Sequence, residues 1–168
     1  ITGAAHRIGR CIAETLAADG WSVVVHHNTS DAEASDTVNA ITAAGGQASA
    51  ISADLSEPVA CVDLVAAANA ATGGLTCLVN NASVFEHDTL ASADRDSWDR
   101  HMNSNLRAPF VLSQGMMAQG LTAQMDESGE PVASGLIVNM LDQRVRKLTP
   151  EFMTYTLAKM GLWAFTQT

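Results

Sequence analysis

Tyr155 and Lys159 stand four residues apart in the run Tyr155-Thr156-Leu157-Ala158-Lys159. On a helix, residues i and i+4 share one face. The Lys159 ammonium then lies near the Tyr155 phenol. A free phenol has a pKa of about 10, too high for ready proton exchange near neutrality. A cation beside it favours the phenolate and lowers that value. A tyrosine tuned this way donates a proton to a carbonyl or imine as hydride arrives, or takes one in reverse. At the other end, Thr2-Gly3-Ala4-Ala5-His6-Arg7-Ile8-Gly9 puts two glycines around a turn that opens a helix. Glycines there let the backbone approach a pyrophosphate, and the helix N-terminus supplies N–H donors and a positive dipole.

The elements that must hold these residues alternate. Helical spacing runs from Arg7 to Asp19, with Ile8, Ile12 and Leu16 on one face, and Gly20 ends it. Trp21–His26 is a short strand. Asp31–Ala44 is helical and closes at Gly45-Gly46. Gln47–Ser52 is a strand, and Glu57–Thr72 a helix with Pro58 in its first turn. Leu75–Val79 is a strand. Ala93–His101 and Leu106–Ala118 are helical, with Pro109 as a candidate bend. Leu136–Met140 is a strand and Pro150–Thr168 a helix. Gly120–Ser134 reads as a surface loop. Strands separated by such helices give an α/β fold, a doubly wound parallel sheet of Rossmann-like type. Ligands bind such sheets at the C-terminal strand ends.

The 168 residues suffice for one domain with a real core. A 47% hydrophobic content with 16% charged residues reads as globular. The net charge of -9 argues against a general nucleic-acid surface. It leaves room for an anionic cofactor held by local N–H groups and one Arg. Cys11, Cys61 and Cys77 lack metal-ligand spacing and read as reduced core thiols in a cytoplasmic protein. His6, His87 and His101 form no ligand set, so no metal is expected. No apolar run of membrane length is present. The chain opens on Ile1-Thr2-Gly3, where a first strand should already be finishing, and stops inside a helical pattern. Residues 1–168 are therefore expected to be one dinucleotide-binding and catalytic domain, incomplete at both ends.

Taken in order, the glycine turn, Asn80-Asn81-Ala82-Ser83 and Tyr155-x-x-x-Lys159 resemble the short-chain dehydrogenase/reductase family. The resemblance covers nearly the whole chain. It implies a nicotinamide dinucleotide held by Gly3, Arg7, Ile8 and Gly9 of the turn. His27 and Ser30 follow the second strand of that scheme, and Asp54 and Leu55 the third, with Asp54 at the adenine. Asn81, Ala82 and Ser83 lie along the cofactor, and Tyr155 and Lys159 complete its site. Arg7 replaces the middle glycine of the family's Thr-Gly-x-x-x-Gly-x-Gly, and Ser83 replaces the glycine of Asn-Asn-Ala-Gly. The second strand ends His26-His27-Asn28-Thr29-Ser30, without the acid that binds a free ribose 2′-hydroxyl. The added Arg and the missing acid both point to NADPH. Asp54 has a second reading, as a cap for the following helix.

The resemblance also implies that Asn105 helps carry a proton relay through water to Lys159. The family's active-site Ser is replaced by Asp142 in Asn139-Met140-Leu141-Asp142. An ionised Asp is acceptor-only, and a carboxylate beside Tyr155 opposes phenolate formation. The substrate should then offer N–H donors, or Asp142 should be protonated and act as an acid. A pterin meets the first requirement. Arg7, Asn-Ala-Ser followed by Phe85, and Asp for Ser look like pteridine reductases. Phe85 either stacks on a flat bicyclic ring or packs in the core. The expected function is NADPH-dependent reduction of a pterin-like C=N, with catalytic Asn105, Asp142, Tyr155 and Lys159 and substrate-binding Phe85 and Asp142. The alternatives are reduction of another carbonyl compound and a non-catalytic NADP-binding redox sensor. Such proteins assemble as homodimers or homotetramers through the helices carrying Asn105 and Tyr155. The partner is a small-molecule substrate, with no nucleic acid and no membrane.

Overall fold

The computed structural model describes residues 1–168. Helix α1 (Arg7–Ala18) buries Gly9, Ala13 and Ala17, a stripe at i, i+4 and i+8 of small side chains. A stripe without bulk lets a helix lie close on a sheet. Gly20 takes φ +90° and ends it. Strand β1 (Ser22–His27) is buried from Val23 through His27, as expected of a strand covered on both faces. It pairs in parallel with β2 (Gln47–Ser52), from Ser22 opposite Gln47 to His27 opposite Ser52. Helix α2 (Asp31–Ala43) connects them. Helix α3 (Pro58–Thr72) has its proline in the first turn and stops at left-handed Gly73. Strand β3 (Cys77–Asn80) follows.

The periodicity predicts two separate helices here, but helix α4 (Arg95–Met102) does not break before the next one. It runs through a π-helical segment, Asn103–Arg107, into α5 (Ala108–Met117). Pro109 sits in the first turn of α5, and the irregularity lies before it. Pro109 has no N–H to give the carbonyl of Asn105 four residues back. The expected loop at 120–134 contains a minimal antiparallel hairpin, β4 (Gln124–Met125) with β5 (Pro131–Val132). Strand β6 (Leu136–Asn139) pairs in parallel with β3, from Cys77 opposite Leu136 to Asn80 opposite Asn139. A 3-10 turn (Gln143–Val145) leads to α6 (Met153–Gln167), which starts three residues later than its periodicity predicts.

Residues 1–4 stitch the two strand pairs together. His26 N–H donates to Ile1 O at 3.1 Å, Ala4 N–H to His26 O at 2.8 Å, and Thr2 N–H to Val79 O at 2.9 Å. The resulting order is β2, β1, residues 1–4, β3, β6. Helices α1 and α2 cover one face over a core of Ala4, Ala13, Ala17, Val23, Val25, Ala34 and Ile41. Helices α3 and α5 cover the other over Leu64, Val65, Leu78, Leu112 and Met116. This is the doubly wound sheet that the alternation predicts. No helix is long and apolar enough to cross a membrane.

Candidate active site

A groove of about 560 Å³ runs along the C-terminal strand ends. Its walls include Gly3, Arg7, Ile8 and Gly9, then His27 and Ser30 after β1, and Asp54 and Leu55 after β2. Asn81, Ala82, Ser83 and Phe85 follow after β3, with Asp142 and Tyr155 at the far end. Two of the sequence-predicted residues, Asn105 and Lys159, are buried behind this wall.

The glycine turn is built by its neighbours. Gly3 has φ +61°, and a Cβ there would lie 3.0 Å from Ala82 Cα. A Cβ on Gly9 would come within 2.3 Å of the Gly3 carbonyl oxygen, so a side chain is excluded. The Asn81 amide donates to the carbonyls of Thr2 (2.9 Å) and Gly3 (3.1 Å). Thr2 Oγ1 accepts the N–H groups of Asn81 and Ala82. The Asn81 side chain is thus spent on the turn itself. His26 does similar work, although sequence reasoning saw only a strand residue. Its Nδ1 accepts from Gly3 N–H at 3.1 Å, so its protonated Nε2 donates to Ala53 O at 3.0 Å. Burial is the main cause that pushes this imidazole down to about 4, so it stays neutral.

Arg7 occupies the family's glycine position with φ +55°. A left-handed backbone costs a non-glycine residue about 1–2 kcal/mol. His27 Nδ1 is buried without a hydrogen-bond partner. Ser30 precedes α2 but makes no side-chain cap, which leaves its hydroxyl uncommitted. Asp54 does not cap α3. Its Oδ1 closes a tight turn on Ser56 N (2.9 Å) and Oγ (2.8 Å).

At the far end the Tyr155 hydroxyl donates to Asp142 Oδ2 at 3.2 Å. Asp142 Oδ1 accepts the Arg144 N–H at 2.8 Å and faces the Arg144 guanidinium at 3.6 Å. Both carboxylate oxygens therefore accept. The expected lowering of the Tyr155 pKa by Lys159 is corrected here. Burial first, then the Asp142 carboxylate, push the phenol up to about 12. Lys159 Nζ lies 5.8 Å from the Tyr155 ring centroid and donates to Met140 O at 2.8 Å. Burial brings its own pKa down to about 8, against the pull of Asp142. The Asn105 side chain exchanges two hydrogen bonds with Val84, accepting from its N–H (2.9 Å) and donating to its carbonyl (2.8 Å).

Phe85 is half-exposed, not a core residue. Its ring stacks on Phe152 at 4.4 Å and meets Tyr155 edge-on at 4.8 Å. The Arg144 guanidinium lies 4.5 Å from the Phe152 centroid and 5.4 Å from that of Phe85. Sequence reasoning missed Arg144 and Phe152. Their signal was proximity alone, two residues after Asp142 and three before Tyr155.

The sheet order and the groove define a Rossmann-like α/β chain. Its sequence matches the short chain dehydrogenase family along residues 1–168, and the chain belongs to that family. An uncharacterised oxidoreductase of Methylorubrum extorquens is 35% identical over 162 residues, 96% of this chain and 61% of that protein. The 3beta-hydroxysteroid dehydrogenase 1 of Eggerthella lenta is 31% identical over 172 residues, all of this chain and 61% of that one. The crystal structure of FolM alternative dihydrofolate reductase 1 from Brucella suis, in complex with NADP, is similar with a TM-score of 0.86. Its identity is 41%, over 98% of this chain and 65% of that chain. The chain thus spans about three fifths of the curated relatives' length.

Proposed function

We propose that the protein is an NADPH-dependent reductase of a pterin-like C=N substrate, with Tyr155 as the proton donor. The observation that carries this reading is the Tyr155 hydroxyl held 3.2 Å from Asp142, beside the half-exposed ring of Phe85. The likeness to an NADP-bound alternative dihydrofolate reductase supports it. The groove fits a dinucleotide. Gly9 lets α1 close on the Gly3 carbonyl and so shapes the turn, and His27 Nδ1 is a buried polar atom in want of a partner. The leading backbone N–H groups of α1 suit a pyrophosphate. Arg7 and Ser30 suit a 2′-phosphate, with Ile8, His27, Asp54 and Leu55 around the adenosine and Asn81, Ala82 and Ser83 further along.

When bound, NADPH supplies the hydride that reduces the substrate carbon. A phenol at about 12 keeps its proton through the neutral range and is an acid. The Tyr155 hydroxyl turns from Asp142 to the substrate nitrogen and gives its proton there, so C=N becomes CH–NH and Asp142 Oδ2 is left free to accept. Asp142 accepts from ring N–H or amino groups and orients the ring against Phe85. Lys159 stands behind Tyr155 and supports the cofactor ribose and the return of the proton. Asn105 contributes to that return through its carbonyl, which Pro109 cannot engage.

The reading extends to setting. Phe110, Leu157 and Trp98 remain 45%, 43% and 46% exposed on α5, α6 and α4, which supports a homodimer or homotetramer. Of the three free cysteines Cys61 is buried and Cys77 partly so, whereas Cys11 is exposed on α1 and is not the core thiol expected; free thiols suit the cytoplasm. The test is turnover of a dihydropterin and of a small ketone with NADPH. Pterin turnover is expected. Ketone turnover without pterin turnover would leave a generic carbonyl reductase instead.

A further inference from the structure

The first turn of α6, which carries Tyr155, has no local cap. Phe152 at its N-cap is left-handed, with φ 57°, and makes no side-chain cap; no acidic residue lies in the first turn. The leading N–H groups of a helix have no partners within it and must find them elsewhere. Here three of them go to one distant residue. Phe152 N–H and Met153 N–H donate to the Asp88 carbonyl, at 2.7 and 3.4 Å. Thr154 N–H donates to Asp88 Oδ1 at 3.2 Å. The Thr154 hydroxyl donates to Asp88 Oδ2. Asp88 lies 66 positions earlier, in the segment between β3 and α4, and is 3% exposed.

The chain of donors continues inward. His101 Nε2 accepts from Glu86 N–H at 3.1 Å, so the proton of this neutral ring sits on Nδ1. Nδ1–H then donates to Thr154 Oγ1 at 2.7 Å. Both His101 and Thr154 are almost wholly buried. The His101 ring also meets the Tyr155 ring edge-on at 5.9 Å. Every proton in the path His101, Thr154, Asp88 has one direction. The hydroxyl of Thr154 can have only one orientation, and its residue precedes Tyr155.

We propose that Asp88, Thr154 and His101 are positioning residues that hold the Tyr155 phenol in place at the end of the groove, beside Asp142. The inference rests on Tyr155 being the proton donor. A misplacement of about 1 Å at a reacting group can cost about a hundredfold in rate. The start of α6 is held only from outside the helix, so loosening Asp88 or Thr154 frees its first turn and tilts the phenol.

Thr154→Val removes the hydroxyl at constant shape, and Thr154→Ser restores it. The assay reads kcat and KM with NADPH and a dihydropterin, and the affinity for NADPH by titration. A second readout needs no turnover. Tyrosine labelled at Cζ gives a resonance that reports the hydrogen bond of the phenol, assigned by its loss in Tyr155→Phe. Thr154→Val is expected to lower kcat about ten- to a hundredfold. Its KM and NADPH affinity should stay within about threefold, and its Cζ resonance should move. Thr154→Ser should return kcat and the resonance to nearly wild-type values. If Thr154→Val does not fold, Asp88→Asn is read in the same way, because it keeps an acceptor for Thr154 N–H. An unchanged resonance with unchanged kcat overturns the proposal, as does a Thr154→Ser variant no better than Thr154→Val. If Tyr155→Phe keeps its turnover, the proton-donor reading has failed, and the resonance still reports whether the phenol is positioned.

Discussion

The Tyr155 hydroxyl points at Oδ2 of Asp142, 3.2 Å away, although the two residues come from different ends of the β6–α6 connection. In this pair the carboxylate accepts and the phenol gives. Burial first, and then Asp142, hold the proton on Tyr155. The pair is a phenol donor with a neighbouring carboxylate acceptor.

Replacing Asp142 by Ser should separate the two substrate classes. Loss of one charge-assisted hydrogen bond costs about 1.5–3 kcal/mol. Pterin turnover should fall by at least about tenfold, and ketone reduction should hold or improve. The Tyr155 pKa should drop, because its second-largest upward cause is removed. Parallel assays of wild type and Asp142→Ser on both substrates decide this. Unchanged ratios would defeat the role given to Asp142.

Tyr155→Phe should lose about two to four decades of kcat, the usual scale for a positioned acid. Cofactor affinity should persist, since the ring and its contacts with Phe85 and His101 are retained. Turnover and NADPH titration check the two halves separately.

Arg7→Gly should act in opposite directions on stability and on cofactor choice. Glycine relieves the left-handed backbone at φ 55°, which is worth about 1–2 kcal/mol to the folded state. The same change removes a charge-assisted bond to a 2′-phosphate, worth about 1.5–3 kcal/mol. NADPH affinity should fall about tenfold or more while NADH affinity stays. Thermal melts and titrations with both cofactors provide the measurement, and equal losses for the two would refute the assignment.

Stability should fall on acidification before most carboxylates titrate. His26 is neutral in the fold, with its pKa lowered from 6.5 to about 4. Below 6.5 the unfolded chain binds a proton that the folded chain refuses, so stability decreases as pH falls. The slope from this group is about 1.4 kcal/mol per pH unit, and it ends near pH 4. Burial lowers His101 as well, which adds in the same direction. Urea unfolding between these limits should show the slope, and His26→Asn should flatten it.

The sequence by itself determined the succession of the main strands and helices along the chain, the glycine turn that opens α1 and the candidates at the strand ends. Those features depend on neighbours within a turn or two, where period, glycine and proline act directly. It also supplied Asp142 and Tyr155 as a pair in the right region, with an expected opposition between them. Only the tertiary structure decided which way the protons point. Sequence spacing puts Lys159 near Tyr155, but the fold turns its ammonium to the Met140 carbonyl and raises the phenol. The Asn81 amide is committed to Thr2 and Gly3, and His26 to Gly3 and Ala53, across gaps of 23 to 79 residues. Asp88 carries no local signal at all, because the helix it caps lies 66 positions away. A hydrogen bond is satisfied by whichever group the fold brings within 3 Å or so, and periodicity along the chain does not record that choice.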